Sequence, residues 1–274
     1  MLDFAKRKSL SRRHHLVYCF NGGWPYLELD SPLVLARFNA EIRQAVVRNR
    51  PSASVYLRGQ DRHFGSMRPS LFRSPNDSYS TQCLLAAQGD YSKTLAKQST
   101  AKRFQRPNLP GLLQHYGVRT SWLDVVDNLY VAAWFATHSR NGDTWISKRS
   151  GSCGWLYFIS TEGPTSCLTV LDLRDKHHHL STRLHTQHGV SVTRYGNCWS
   201  NTALGFEEFV VATVRLRCGP EWQLRGFMAS EKFLFPNASE DNTLKLLQKP
   251  QATKLLRKIE KTHLISVGAL GNLY

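Results

Sequence analysis

The chain has 274 residues, 41% of them hydrophobic and 20% charged. That balance supports a buried core and excludes a disordered chain; the length suits one domain with or without appendages. Lys and Arg number 36 against 20 Asp and Glu, a formal net charge of +16, which favours polyanionic partners such as nucleic acid, DNA before RNA. The six cysteines form no CxxC pair, so neither a zinc ribbon nor a disulfide framework is expected. No apolar run approaches the ~20 residues of a membrane span, and Lys6, Arg7, Lys8, Arg12 and Arg13 are not followed by a secretory apolar core. A reducing cytoplasm is the expected compartment.

Residues 1–30 are expected to form a basic, irregular lead. Ser31-Pro32 reads as an N-cap followed by Pro at the first helical position. Leu35, Phe38, Ile42, Ala45 and Val46 continue it with helical spacing up to Asn49-Arg50-Pro51. Val55-Tyr56-Leu57 predicts a strand that delivers Arg58 at its edge, before Gly59. A polar, turn-rich segment over 61–80 precedes a helical stretch over 82–102. Leu129–His138 is apolar and helix-competent. Strands are expected at 155–159, 168–173, 190–193 and 209–216, with short basic helices at 244–247 and 254–259. Helices early and strands late predict an α+β fold rather than alternating βαβ units. GxGxxG and the P-loop pattern are absent from the sequence, which argues against a Rossmann or P-loop nucleotide site. The main domain is placed at 31–240, with 241–274 as a helical extension packed on it.

Several segments carry a more specific signal. They are Tyr56-Leu57-Arg58-Gly59-Gln60, then Arg68-Pro69-Ser70-Leu71-Phe72-Arg73, then Gln114-His115-Tyr116-Gly117 with Thr120 and Leu123-Asp124. Ala132-Ala133-Trp134-Phe135-Ala136 follows, then Arg183, Gln187-His188-Gly189 and Phe235-Pro236. In order and spacing they resemble the FRG domain family, named for a Phe/Tyr-Arg-Gly motif. Leu57 departs from the aromatic residue of that motif, and Arg119 stands where the family often has Pro.

The FRG motifs in turn resemble a distant version of the ADP-ribosyltransferase pattern. That resemblance implies a split, strongly twisted β-core flanked by helices, and transfer of ADP-ribose from NAD to an acceptor. It assigns Arg58 to NAD binding and catalysis, and Glu208, in Phe206-Glu207-Glu208-Phe209-Val210-Val211, to the catalytic carboxylate on a late strand. His115 and Tyr116 would line the nicotinamide site, Thr120 and Ser121 would hold ribose, and Gln187 is a second holder of the third motif position. The residue types suit the chemistry. Cleaving nicotinamide from ribose develops oxocarbenium character that a carboxylate stabilises, and an Arg grips pyrophosphate through charge-assisted bonds.

Each residue also has a structural reading. Arg58 could pair with a carboxylate, His115 and Tyr116 could end a helix on the core, and Asp124 reads as the N-cap of the next helix. Glu208 reads as a solvated strand-end charge, as does Glu207, and Gln187 as a structural hydrogen-bonding group. The run His177-His178-His179, with His185 and His188, lacks metal-ligand spacing, so no metal is expected. Two further functions stay open. One is ADP-ribosylation of a protein or hydrolysis of NAD; the other is a non-catalytic nucleic-acid-binding module. The family resemblance also implies, by analogy, a toxin or phage-defence setting.

Overall fold

A computed structural model describes residues 18–21, 24–73, 88–89, 93, 109–142, 144–163, 167–177, 181–194, 205–223, 229–250 and 254. Most of the helix expected at 82–102, the basic lead before residue 18, and the helix at 254–259 except residue 254 lie outside the described residues. In chain order the strands are β1 (Tyr18–Asn21), β2 (Trp24–Leu29), β3 (Val55–Gln60), β4 (Leu123–Val126), β5 (His138–Asn141) and β6 (Thr144–Ser147). They continue with β7 (Cys153–Ser160), β8 (Leu168–Asp172), β9 (Gly189–Arg194) and β10 (Val210–Arg217). The α-helices are α1 (Pro32–Asn49), α2 (Leu109–His115), α3 (Leu129–Thr137), α4 (Leu173–His177), α5 (Thr182–Thr186), α6 (Glu231–Leu234) and α7 (Asn242–Leu247). The fold class is α+β, with both parallel and antiparallel strand pairs. No helix among the described residues is long and apolar enough to cross a membrane.

The chain interleaves two compact units. The first comprises 1–67, 126–167 and 206–230, and the second 68–125, 168–205 and 231–274. In the first unit the strands run β1-β2-β10-β7-β3. β10 is parallel to β2 and antiparallel to β7, which is antiparallel to β3. Alternation divides these strands into two faces. Leu57, Phe158 and Val214 point to one, where Phe38 of α1 meets Phe158 edge-on at 5.6 Å. α3 packs on the same face through two glycines. A Cβ at Gly59 would lie 1.9 Å from the Ala132 carbonyl oxygen, and one at Gly154 would lie 2.0 Å from that of Ala136. Only bare Cα atoms let the α3 backbone approach this closely.

The boundaries of α1, α3, β7, β8, β9 and β10 follow the hydrophobic spacing. Two expectations are corrected, and one hairpin is new. The lead is not irregular throughout, since β1 and β2 pair as an antiparallel hairpin. Gly142, at φ 60, lies in the two-residue connection between Asn141 of β5 and Thr144 of β6, which pair as a hairpin. Asp124 is not a helix N-cap. It lies within β4, and Asn128 caps α3 by accepting the Tyr130 and Val131 amides.

The second unit contains β8 and β9 as an antiparallel pair, residues 123–125 of β4, and five of the helices. Its core gathers Leu112 and Leu113 of α2, Leu171, Leu184, and Leu244 and Leu247 of α7. α7 is therefore part of this core. Ser191 anchors α2 by donating to the Gly111 carbonyl at 3.1 Å.

Candidate active site

Arg58 lies on the face of the first unit opposite α1 and α3. Its register partner on β7 is Tyr157, and in an antiparallel pair such residues share a face. Tyr157 is 2% exposed, and burial raises its phenol above the usual tyrosine range, opposed by the Arg58 charge. Thr213 of β10 continues this row, and the next contains Gln60, Trp155, Arg215 and Glu28.

The segment 61–67 returns across this face as a strap. His63 Nδ1 is 2.8 Å from the Tyr157 hydroxyl, and its ring lies 4.8 Å from that of Trp155. Burial lowers the His63 pKa, which favours the neutral imidazole. At the far end, the Met67 amide donates to Glu207 Oε1 at 2.8 Å, and the Phe206 amide donates to the Met67 carbonyl at 3.1 Å. Glu207 is thus a strap anchor rather than a solvated charge. Glu208 follows it in a 3-10 turn, Glu207–Phe209, directly before β10 rather than on the strand itself. Val210 and Tyr56 flank Ile159 from opposite sides. With about 3.3 Å per strand residue and about 4.8 Å between strands, Arg58 and Glu208 lie roughly 14 Å apart at Cα.

The other sequence-derived site residues belong to the second unit, and there they are tied into its interior. Tyr116 is 2% exposed, and its hydroxyl donates to both carboxylate oxygens of Asp241 at 3.0 and 2.9 Å. The Arg183 guanidinium lies over its ring at 4.9 Å and 5.4 Å from the Phe235 ring. Burial, reinforced by the Asp241 charge, raises the Tyr116 phenol well above its ordinary range. Thr120 and Ser121, expected to hold ribose, are 0% and 1% exposed. The Thr120 hydroxyl donates to Gln114 Oε1 at 2.9 Å, which also accepts from Ser70 at 2.7 Å. Gln88 bonds both the Ser121 amide and its hydroxyl.

His115 ends α2 with Nε2 3.3 Å from Asp124 Oδ1, its side chain 3% exposed. A Cβ at Gly189 would sit 2.9 Å from His115 Cε1, so the glycine makes room for this ring. Gln187 is 4% exposed, and its amide donates to the Leu234 carbonyl at 2.9 Å. His188 adopts φ 51, a left-handed backbone that closes α5 before β9. These residues lie within the second unit, and the side chains of Tyr116, Thr120, Ser121 and Gln187 bond protein partners.

Residues 53–144 match the family model of the FRG domain. This segment of the chain is similar to the FRG domain. The matched stretch contains Arg58-Gly59, the Gln114–Gly117 motif, Asp124 and the α3 segment. Arg183, Gln187-His188-Gly189 and Phe235-Pro236 lie beyond it. No curated protein and no solved structure matches the chain.

Tyr157 and His63 were missed by sequence reasoning. The alternation Trp155-x-Tyr157-x-Ile159 along a strand next to Arg58 is the signal that could have found Tyr157. His63 lies in a turn-rich segment without periodicity, so no pattern marks it. No group of His, Cys, Asp and Glu among the described residues could hold a metal ion.

Proposed function

We propose that this chain is an NAD-dependent ADP-ribosyltransferase with an ADP-ribosyltransferase-like β-core, acting on nucleic acid, DNA in preference to RNA. The observation that carries the reading is the pairing, within one unit, of a partly exposed arginine beside a buried aromatic row and a carboxylate turn tied to the same face by the 61–67 strap. In this transfer the bond between ribose and nicotinamide breaks, the acceptor heteroatom bonds to the ribose carbon, and the acceptor's proton is released. Arg58 binds the pyrophosphate as a fixed fork of donors. Glu208 stabilises positive charge developing at the ribose carbon. His63 and Tyr157 position Arg58 and the strap. The donor set of the first unit fits NAD in this way. The buried, hydrogen-bonded Tyr116, Thr120, Ser121 and Gln187 do not present groups to it, and their role is to shape the second unit.

The test compares wild type, Arg58→Lys and Glu208→Gln with labelled NAD and separated DNA, RNA and protein acceptors. Glu208→Gln is expected to lower kcat by about 100-fold or more with unchanged circular dichroism, and Arg58→Lys to raise KM for NAD. Label entering protein, or free ADP-ribose alone, would replace the nucleic-acid acceptor. Full transfer by Glu208→Gln would remove that residue from the mechanism.

A second reading, a non-catalytic nucleic-acid-binding module, is favoured by one observation: the hydroxyls and amide expected to hold NAD in the second unit are all engaged internally. It predicts salt-sensitive binding with no nicotinamide release.

A further inference from the structure

One end of the first unit gathers exposed cations around an exposed aromatic ring. Phe64, in the strap beyond β3, is 48% exposed, and the Arg62 guanidinium lies over its ring at 4.8 Å. The exposed Arg149 sits in the turn between β6 and β7. Four bonds bring these segments together. Lys148 Nζ donates to the Asp61 and Cys153 carbonyls, which ties that turn to the strap. The Cys218 amide donates to the Ser152 carbonyl at 2.8 Å, and the Gly151 amide donates to the Cys218 carbonyl at 2.9 Å, which ties the turn to the end of β10. There Arg217 projects with 62% side-chain exposure.

Carboxylates also lie at this end. The Glu28 carboxylate is shared by Arg215 at 3.1 Å and Arg217 at 2.7 Å. Asp30, Asp61 and Glu221 follow the ends of β2, β3 and β10 in the chain. An Arg-covered aromatic ring flanked by two further arginines has the chemistry of a single-strand platform. The ring stacks an unpaired base and the guanidinium groups meet the phosphates on either side.

We propose that this end of the first unit binds single-stranded nucleic acid, with Phe64 stacking a base and Arg62, Arg149 and Arg217 holding consecutive phosphates. The proposal deepens the function above and rests on it only for the class of polymer.

The test is fluorescence anisotropy of the full chain with a labelled single-stranded oligodeoxynucleotide of mixed sequence, without NAD and over a range of salt. Phe64→Ala is expected to weaken binding about tenfold or more without changing the salt dependence, and Phe64→Trp to retain it. Arg149→Ala is expected to weaken binding and to reduce the slope of log affinity against log salt by about 0.7. Arg37→Ala, an exposed site on α1 paired with Glu41, is the control and should leave affinity unchanged. Wild-type affinity in both Phe64→Ala and Arg149→Ala overturns the proposal. So does equal weakening by Arg37→Ala, preference for duplex over single strand, or no binding by the wild type. Intact binding without ADP-ribose transfer overturns the transferase and leaves this surface. Transfer to DNA that is indifferent to Phe64→Ala overturns the surface and leaves the transferase.

Discussion

Gly59 follows the arginine of the family motif, and its role is fixed by one distance. Its would-be Cβ meets the Ala132 carbonyl oxygen at 1.9 Å, with the Ala136 amide at 2.9 Å. Both obstacles are backbone of α3, which cannot swing aside as a flexible side chain can. Gly59→Ala is therefore expected to destabilise the protein by about 3 kcal/mol or more, read as a lower urea midpoint. Gly142→Ala, which meets nothing within 4 Å but sits at φ 60, should cost only about 1 kcal/mol. The two buried phenols make a second residue-scale prediction. Folding raises the pKa of Tyr116 and Tyr157, chiefly by burial. The unfolded chain then loses these protons first as pH rises through about 10. Their contribution to stability should be constant below that point and fall above it. Tyr157→Phe, measured by urea titration at pH 8 and pH 10.5, should shrink the difference between the two.

At the scale of elements, the strap and the Asp241 cluster do different work. The strap links β3 to the turn bearing Glu208 through His63–Tyr157 and Met67–Glu207. Asp241 is 0% exposed and accepts from the Tyr116 hydroxyl, the Arg183 amide at 2.8 Å and the Leu244 amide at 2.8 Å. It caps α7 and fixes two motif residues at once. Asp241→Ala strands those buried donors and should destabilise by about 3 kcal/mol or more, seen as a large loss in thermal midpoint. Sequence reasoning located α1 and α3 because their apolar spacing is long and regular, and located β7 to β10 because apolar runs are bounded by Gly and Pro. It missed β2, where Tyr26-Leu27-Glu28-Leu29 alternates but is short and follows Pro25. It missed the β5–β6 hairpin although Gly142 between the two short strands is a turn cue. Arg58 was legible through its motif. The direction of the Thr120 and Ser121 hydroxyls was not, because a motif carries residue type and spacing. The bonds to Gln114 and Gln88 depend on which chain segments fold together.

At the scale of the whole molecule, the +16 charge gives a long-range attraction for polyanions, and the two units distribute the motifs between them. Arg58 and Glu208 belong to the first unit, while His115, Tyr116, Thr120, Ser121 and Gln187 belong to the second. The FRG match spans segments of both units, so the family motifs specify a scaffold as much as a site. A basic chain attracts DNA whether or not it reacts with it, so binding alone cannot separate the transferase from a binding module. The deciding measurement is mass spectrometry of a single-stranded oligodeoxynucleotide after incubation with the purified full chain and NAD. The account predicts an oligonucleotide heavier by one ADP-ribosyl group, together with released nicotinamide, and no such product with folded Glu208→Gln. An unchanged oligonucleotide and intact NAD, from a wild-type protein that binds the strand, would contradict it.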